Sequence, residues 1–214
     1  MNRKKRSKIN FFKIIFVIII LILVTTLGIY YNYFYPRTKV KSITSNMSLD
    51  KNYLVNKFEP KNIKFSLNNI NVQSDINFNE EELTDLFINI VNKTPELKQY
   101  LEGLSIKIEG ENLKLYTHAN YKKIPLEAVL TFTVASNEGK AFINYKEGKL
   151  GFISIPKEII FSKLKNTPLL KFDKEKGNII VSPGNIQGFK IYINNFSLKN
   201  HKLNVGFKGS KKLF

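Results

Sequence analysis

The residues of this 214-residue chain with types suited to chemistry are few: His118, His201, the run Glu80-Glu81-Glu82, and the pair Ser162 and Lys165. A histidine acts as a general base or a metal ligand only where a partner positions it. His118 closes the stretch Tyr116-Thr117-His118 at the end of an expected strand, and His201 stands beside Asn200 in an expected turn. The two do not share metal-ligand spacing, and no carboxylate pairs with either on a recognisable face, so both read as ordinary surface or turn residues. Paired carboxylates can do acid–base work, but Glu80–Glu82 stand where a helix should begin, and a helix N-terminus favours negative charge for structural reasons. Ser162-Lys163-Leu164-Lys165 has a Ser-x-x-Lys spacing, a single match in a lysine-rich chain. The chain contains no cysteine, which excludes thiolate chemistry, disulfides and a lipoprotein anchor. Neither GxSxG nor HExxH nor a phosphate-cradling glycine loop occurs. The expectation is a noncatalytic protein without cofactor or metal.

The elements that would position any site begin with an unusual N-terminus. Arg3, Lys4, Lys5, Arg6, Lys8 and Lys13 form a basic head of residues 1–13 without an acid. Residues 14–36 carry no charge, and Ile14 to Val24 is apolar throughout. Such a stretch spans a hydrocarbon core of ~30 Å at ~1.5 Å per residue. Tyr30, Tyr31, Tyr33, Phe34 and Tyr35 follow, as expected of a headgroup-level aromatic belt. Six basic residues precede the span and three closely follow it. By the positive-inside rule the head is cytoplasmic and the remainder is exported, giving a single-pass protein of the cell membrane with an extracellular domain. The competing reading is a cleaved signal peptide, for which Thr25-Thr26-Leu27-Gly28 is a poor cleavage site. An exported domain without disulfides points to a bacterial envelope. Nine of the 34 basic residues lie in residues 1–41 with no acid, leaving 25 against 17, or +8, for the rest. That excess is scattered and contains no arginine beyond Arg37. Nucleic acid is therefore not expected as a partner.

Beyond the span, residues 37–62 read as a juxtamembrane connector, with a short helix over Asp50–Phe58. Residues 63–209 read as the exported domain, and residues 210–214, with Lys211 and Lys212, as a frayed tail. Ile63, Phe65, Leu67, Ile70, Val72 and Ile76 show strand alternation. Asn79 followed by Glu82 predicts a capping box, with Phe78 and Leu83 as a hydrophobic staple. Leu83, Leu86, Phe87, Ile90 and Val91 then form one helical face, Thr94-Pro95 restarts or kinks the helix, and Gly103 stops it. Leu104, Ile106 and Ile108 open a strand meander with turns at Gly110-Glu111-Asn112, Asn137-Glu138-Gly139 and Glu147-Gly148. Its best strand, opened by Pro125, places Leu126, Ala128, Leu130, Phe132 and Val134 on one face. Pro156 begins a second helix whose stripe is Ile159, Ile160 and Leu164. Strands over Leu169–Asp173, Asn178–Ser182, Gly188–Leu198 and Lys202–Phe207 close the chain. Phe132, Phe142, Phe152, Phe161 and Phe172 read as core or sheet-face packing. The fold class is α+β: a transmembrane helix, then an extended antiparallel sheet with helices packed on one face. Its inner face is either fully covered or open in part as a groove. Leu86, Phe87, Ile90, Leu126, Leu130, Phe132 and Val134 are the candidate groove residues, and each also suits a plain core.

The order of basic head, single span, Glu81-Glu82-Leu83-Thr84-Asp85-Leu86-Phe87 helix, strand meander, Ile155-Pro156-Lys157-Glu158 helix and terminal strand pair resembles the YpmS-like family of membrane-anchored Gram-positive proteins. The likeness covers residues 1–207. It implies a long curved sheet similar to half of a tubular lipid-binding module, and hence a hydrophobic ligand, with no reaction and no family site residues to carry over. The expected function is a noncatalytic envelope protein whose domain binds a lipid or another amphiphile. The alternative is an interaction or scaffold module of an envelope assembly, contacting a protein or anionic wall polymers.

Overall fold

The structure, a computed structural model, describes residues 11–45, 57, 62–66, 68–162, 164–186 and 188–212. It opens with helix α1 (Phe11–Ile29), which continues through a π-helical segment (Tyr30–Phe34). Phe12–Phe34, 23 residues, is the one helix among the described residues long and apolar enough to cross a membrane, and no part of it is buried. The two threonines inside it leave no hydroxyl proton unpaired: Thr25 and Thr26 donate to the carbonyls of Leu21 and Ile22, at 2.7 and 2.8 Å.

A short strand β1 (Lys41–Ser42) follows, then a hairpin of β2 (Asn62–Ser66) and β3 (Asn69–Asn79). Helix α2 (Glu80–Asn92) and the single turn α3 (Pro95–Lys98) lead into a meander of β4 (Leu101–Glu109), β5 (Asn112–Tyr121), β6 (Ile124–Asn137) and β7 (Lys140–Leu150). The remainder comprises β8 (Ile153–Ser154), α4 (Lys157–Phe161), β9 (Leu170–Asp173), β10 (Asn178–Val181), β11 (Gly184–Ile186), β12 (Phe189–Lys199) and β13 (Lys202–Lys212). The strands form two antiparallel sheets where one was expected. The larger has the order β1-β4-β5-β6-β7-β10-β9, with β8 also on β7, and the smaller the order β11-β12-β13-β3-β2. The sheets meet where the Ile193 amide of β12 donates to the Gly139 carbonyl at the β6–β7 tip, 2.9 Å away. One core runs through both, from Ile76, Phe78 and Phe196 to Leu104, Ile106, Leu113 and Phe132.

Helix α2 joins the sheets covalently, since Asn79 ends β3 and is also the N-cap. Its side chain accepts from the Glu82 amide at 2.9 Å, and Glu82 returns the bond from the Asn79 amide at 2.8 Å, the expected capping box. The buried face differs from the expected one. Leu83, Thr84, Asp85, Ile88 and Val91 are inside, Leu86 and Phe87 are half-buried, and Ile90 is 51% exposed. The reason lies on β4, which pairs with β1 only at Leu104 and Gly103 and so leaves an open edge. Thr84 Oγ1 accepts from the Ile106 amide at 2.9 Å, and Glu80 Oε1 from the Ile108 amide at 2.7 Å. His201 Nδ1 lies 3.0 Å from the Ile108 carbonyl, which can only accept. An unpaired buried amide costs ~1–3 kcal/mol, more than the ~0.7 kcal/mol of helix propensity that a mid-helix threonine gives up. The helix is therefore turned to present Thr84 and Asp85, and Ile88 enters the core one turn on from Thr84.

The connector does not stand apart from the domain. Lys41 reaches the wholly buried Asp85 of α2 at 2.5 Å, Asn92 donates to the Ile43 carbonyl at 2.8 Å, and Ile43 is 5% exposed. Gly103, expected to stop a helix, lies inside β4, because a Cβ there would meet Val40 and the Lys41 carbonyl at 2.6 and 2.9 Å. The helix expected over Asp50–Phe58 falls outside the described residues except Lys57, which is helical. The continuous strand expected from Ile63 to Ile76 is the β2–β3 hairpin. The turn expected at Glu147-Gly148 occurs at Gly151-Phe152, and Gly148 stays in β7 over the Leu130 side chain. In α4 it is Phe161 that is fully buried, packed edge-on to Tyr145, while Ile159 is 61% exposed. Phe152 is likewise exposed rather than in the core. Lys211 and Lys212 are not frayed: they pair with Ile70 and Asn69 in β13. Replacing Thr84 by valine, which keeps its shape and removes the acceptor for Ile106, should lower unfolding stability by about 1–3 kcal/mol. Serine should retain most of it. Guanidinium unfolding of the full chain in detergent measures both.

Candidate functional site

The turn Lys122-Lys123 sets the register of β5 on β6, pairing Leu115 with Leu130, Leu113 with Phe132, His118 with Glu127, Tyr116 with Val129 and Lys114 with Thr131. Because side chains alternate along a strand, the first two pairs share the core face and the last three the opposite face. β7 adds Lys149 and Glu147 to that outer face, opposite Val129 and Thr131. Over it hangs the end of the N-terminal helix. Tyr33 and Gly151 complete a cleft of about 300 Å³ lined by Lys114, Tyr116, Glu127, Val129, Thr131, Glu147 and Lys149.

Three contacts hold the helix end against the sheet. Tyr30 Oη donates to the Pro125 carbonyl at 2.9 Å. The Phe152 ring packs edge-on to Tyr33 and Phe34, with centroids 5.5 and 5.2 Å away. Gly151, at φ +61°, lets the turn come this close, since a Cβ there would sit 2.8 Å from the Tyr33 carbonyl. Glu127 then clamps the chain as it leaves the helix. Its Oε2 accepts from the Thr38 amide at 2.8 Å, the Arg37 amide at 3.1 Å and His118 Nε2 at 3.2 Å. The Arg37 guanidinium turns back to donate to the Tyr31 carbonyl at 2.9 Å.

Charges in the cleft are matched in pairs. Lys114 bonds Glu109 at 2.5 Å, and Tyr116 donates to the other Glu109 oxygen at 3.1 Å. Lys149 lies 3.1 Å from Glu147. The bond from Lys114 holds Glu109 below the usual carboxylate range, and the same bond raises Lys114. Burial, then the bond to Glu109, pushes Tyr116 up. For Glu127 burial pushes the pKa up, but the bonds from Thr38, Arg37 and His118 together outweigh it, and the net shift is downward. The cleft therefore offers two ammonium groups, two carboxylates and two phenols above an apolar-backed sheet. That set can grip a polar headgroup carrying phosphate or amine.

The seven candidate groove residues fall on two elements, β6 and α2. Leu126, Leu130, Phe132 and Val134 do share the inner face of β6, as their pairing with β5 and β7 requires. Phe132, 4% exposed, belongs to the core, with Leu130, Val134, Leu86 and Phe87 packed on it. Leu126 is half-buried outside this cluster, and Ile90 is exposed. His118 is not a lone strand-end residue, since it sits inside β5 paired with Glu127. The sequence reading missed the outer cleft altogether. The signal for it was a two-residue turn at Lys122-Lys123, which makes residues equidistant from it cross-strand neighbours and so puts His118 opposite Glu127. Among the described residues no group of three or more His, Asp or Glu side chains could hold a metal ion.

Compared with protein-family models, with curated proteins and with solved structures, the chain matches none.

The depressed Glu127 sets a pH dependence. A carboxylate with a lower pKa folded than unfolded contributes stability that is full above its unfolded value and is lost as pH falls through the folded one. Stability of the chain should therefore fall in acid, from just above pH 4 downward, and Glu127→Gln should flatten this acid limb while lowering stability at neutral pH. Chemical unfolding followed from about pH 7 to 3 compares the two limbs.

Proposed function

We propose that this chain is a noncatalytic, single-pass protein of a bacterial cell envelope, similar to the YpmS-like proteins, and that its outer cleft receives the polar head of a membrane amphiphile. The observation carrying this reading is that Tyr33, from the last turn of the apolar helix, forms part of the cleft wall. With the helix spanning a bilayer, the cleft opens at headgroup level, where an amphiphile can leave its tails in the hydrocarbon and place only its head on the protein. A headgroup site of this kind needs no acyl-chain tunnel, in keeping with a sheet whose inner face is largely occupied by the protein's own core. Lys114 and Lys149 suit a phosphate, and Glu147 an amine.

Orientation follows from the basic head, which keeps residues 1–13 in the cytoplasm and the domain outside. Because the chain has no cysteine, Lys174→Cys provides a single thiol on an exposed turn. A membrane-impermeant maleimide should label it in intact cells. Labelling only after lysis would reverse the topology.

The alternative, a scaffold contacting anionic wall polymer, draws on the net +8 beyond residue 41. Native mass spectrometry of the full chain released from detergent separates the two readings. The amphiphile reading expects a co-purified lipid at defined stoichiometry, lost in the double variant Lys114→Gln, Lys149→Gln. A lipid-free chain with salt-sensitive polymer binding would favour the scaffold.

A further inference from the structure

Two turns beside the helix end carry apolar side chains that the domain leaves uncovered. In the β5–β6 turn Tyr121 and Ile124 are 60% and 48% exposed, and after β7 Phe152 and Ile153 are 63% and 50% exposed. Single exposed apolar residues are ordinary on a soluble surface. Here four lie at one end of the domain, on the two turns tied to the same stretch of helix. Pro125, next to Ile124, accepts from Tyr30, and Phe152 packs on Tyr33 and Phe34.

The level of these turns follows from the helix. Tyr30 precedes Phe34 by four residues, so it lies up to about 6 Å deeper along the axis. Helical side chains lean toward the N-terminus, so the Tyr30 hydroxyl is no nearer water than its own Cα. The 23-residue apolar stretch slightly exceeds a hydrocarbon core of ~30 Å, which puts Tyr30 at the interface. The β5–β6 turn is then at or below the level where the helix leaves the hydrocarbon.

The backbone of that turn supplies an independent observation. Lys122 and Lys123 both hold positive φ, 51° and 69°, in a two-residue hairpin turn that favours Asn-Gly. Among the described residues, the other two-residue turns with both residues at positive φ are Glu138-Gly139 and Asn200-His201, each containing a residue that tolerates the left-handed region. Lys122-Lys123 contains none. Two strained lysines between Tyr121 and Ile124 make a basic tip with apolar flanks, the composition that binds an anionic lipid surface.

We propose that the membrane itself covers these turns: the β5–β6 and β7–β8 tips insert into the headgroup layer of the bilayer that α1 crosses, with Ile124 and Phe152 reaching the acyl boundary and Lys122 and Lys123 on anionic headgroups. The domain then stands end-on, with the β6–β7 tip at Gly139 far from the lipid. β6 alone, 14 residues, sets them ~45 Å apart. The inference rests on the anchored reading and is separable from it.

The chain has no tryptophan, so single substitutions report position cleanly. The full chain would be reconstituted in vesicles of phosphatidylcholine and phosphatidylglycerol brominated near the headgroup. Phe152→Trp and Ile124→Trp are expected to emit at blue-shifted wavelength and to lose most of their intensity to bromine. Tyr192→Trp, beside Gly139 at the opposite tip, should emit as a water-exposed indole without quenching. Replacing Lys122 and Lys123 by glutamine should reduce quenching of the Phe152→Trp reporter and remove its dependence on the anionic lipid. Alkaline carbonate extraction of the same vesicles tests the anchor separately. A chain that resists extraction but leaves both membrane-side reporters unquenched would overturn the insertion and spare the anchor. Release by carbonate would overturn both, and equal quenching of the Tyr192→Trp reporter would overturn the end-on placement.

Discussion

The free edge of β4 is the constraint on which the rest of the domain depends. A strand with one unpaired edge presents amides and carbonyls that must bond to something, and an open edge is also a template for a second chain. Here Glu80 and Thr84 take two amides, His201 a carbonyl, and β1 the rest of the beginning of the strand. Each partner comes from a different part of the sequence. Closing this edge therefore fixes the helix that joins the sheets, the turn between β12 and β13, and the segment arriving from the N-terminal helix.

The ion pair of Lys41 and Asp85 belongs to the same arrangement. A carboxylate taken fully out of water loses several kcal/mol of solvation, and Lys41 at 2.5 Å supplies the compensating charge. With Glu127 of β6, across β5 from β4, gripping Arg37 and Thr38, the chain is fastened at both ends of residues 37–41. The distance between the domain and the end of the apolar helix is thereby set by hydrogen bonds and not by a slack linker. A short fixed distance makes the cleft and the two turns beside the helix relevant to whatever surrounds that helix.

The resemblance expected from the sequence alone directs attention to the inner face of the sheet. In this chain that face is occupied by Leu104, Ile106, Leu113, Leu115 and Phe132 together with α2 and the second sheet. The polar outer face, with its paired lysines and glutamates, is the more accessible surface.

The sequence by itself determined what depends on near neighbours in the chain. The uncharged run before Pro36, the Asn79–Glu82 capping box, the alternation of Leu104, Ile106 and Ile108, and the Glu138-Gly139 turn all follow from local periodicity and backbone preference. The helical face of α2 did not, because Thr84 and Asp85 are inside for partners 22 and 44 residues away. Nor did the division into two sheets, since the same alternation satisfies either arrangement and only the pairing of β3 with β13 decides it. Gly103 and Gly148 read as breakers when seen alone, yet they stay in strands because Lys41 and Leu130 press against them. The cleft was hidden for a similar reason. Its residues are unremarkable lysines, glutamates and tyrosines on a solvated face, and they become a site only when cross-strand register and the docked helix bring them together.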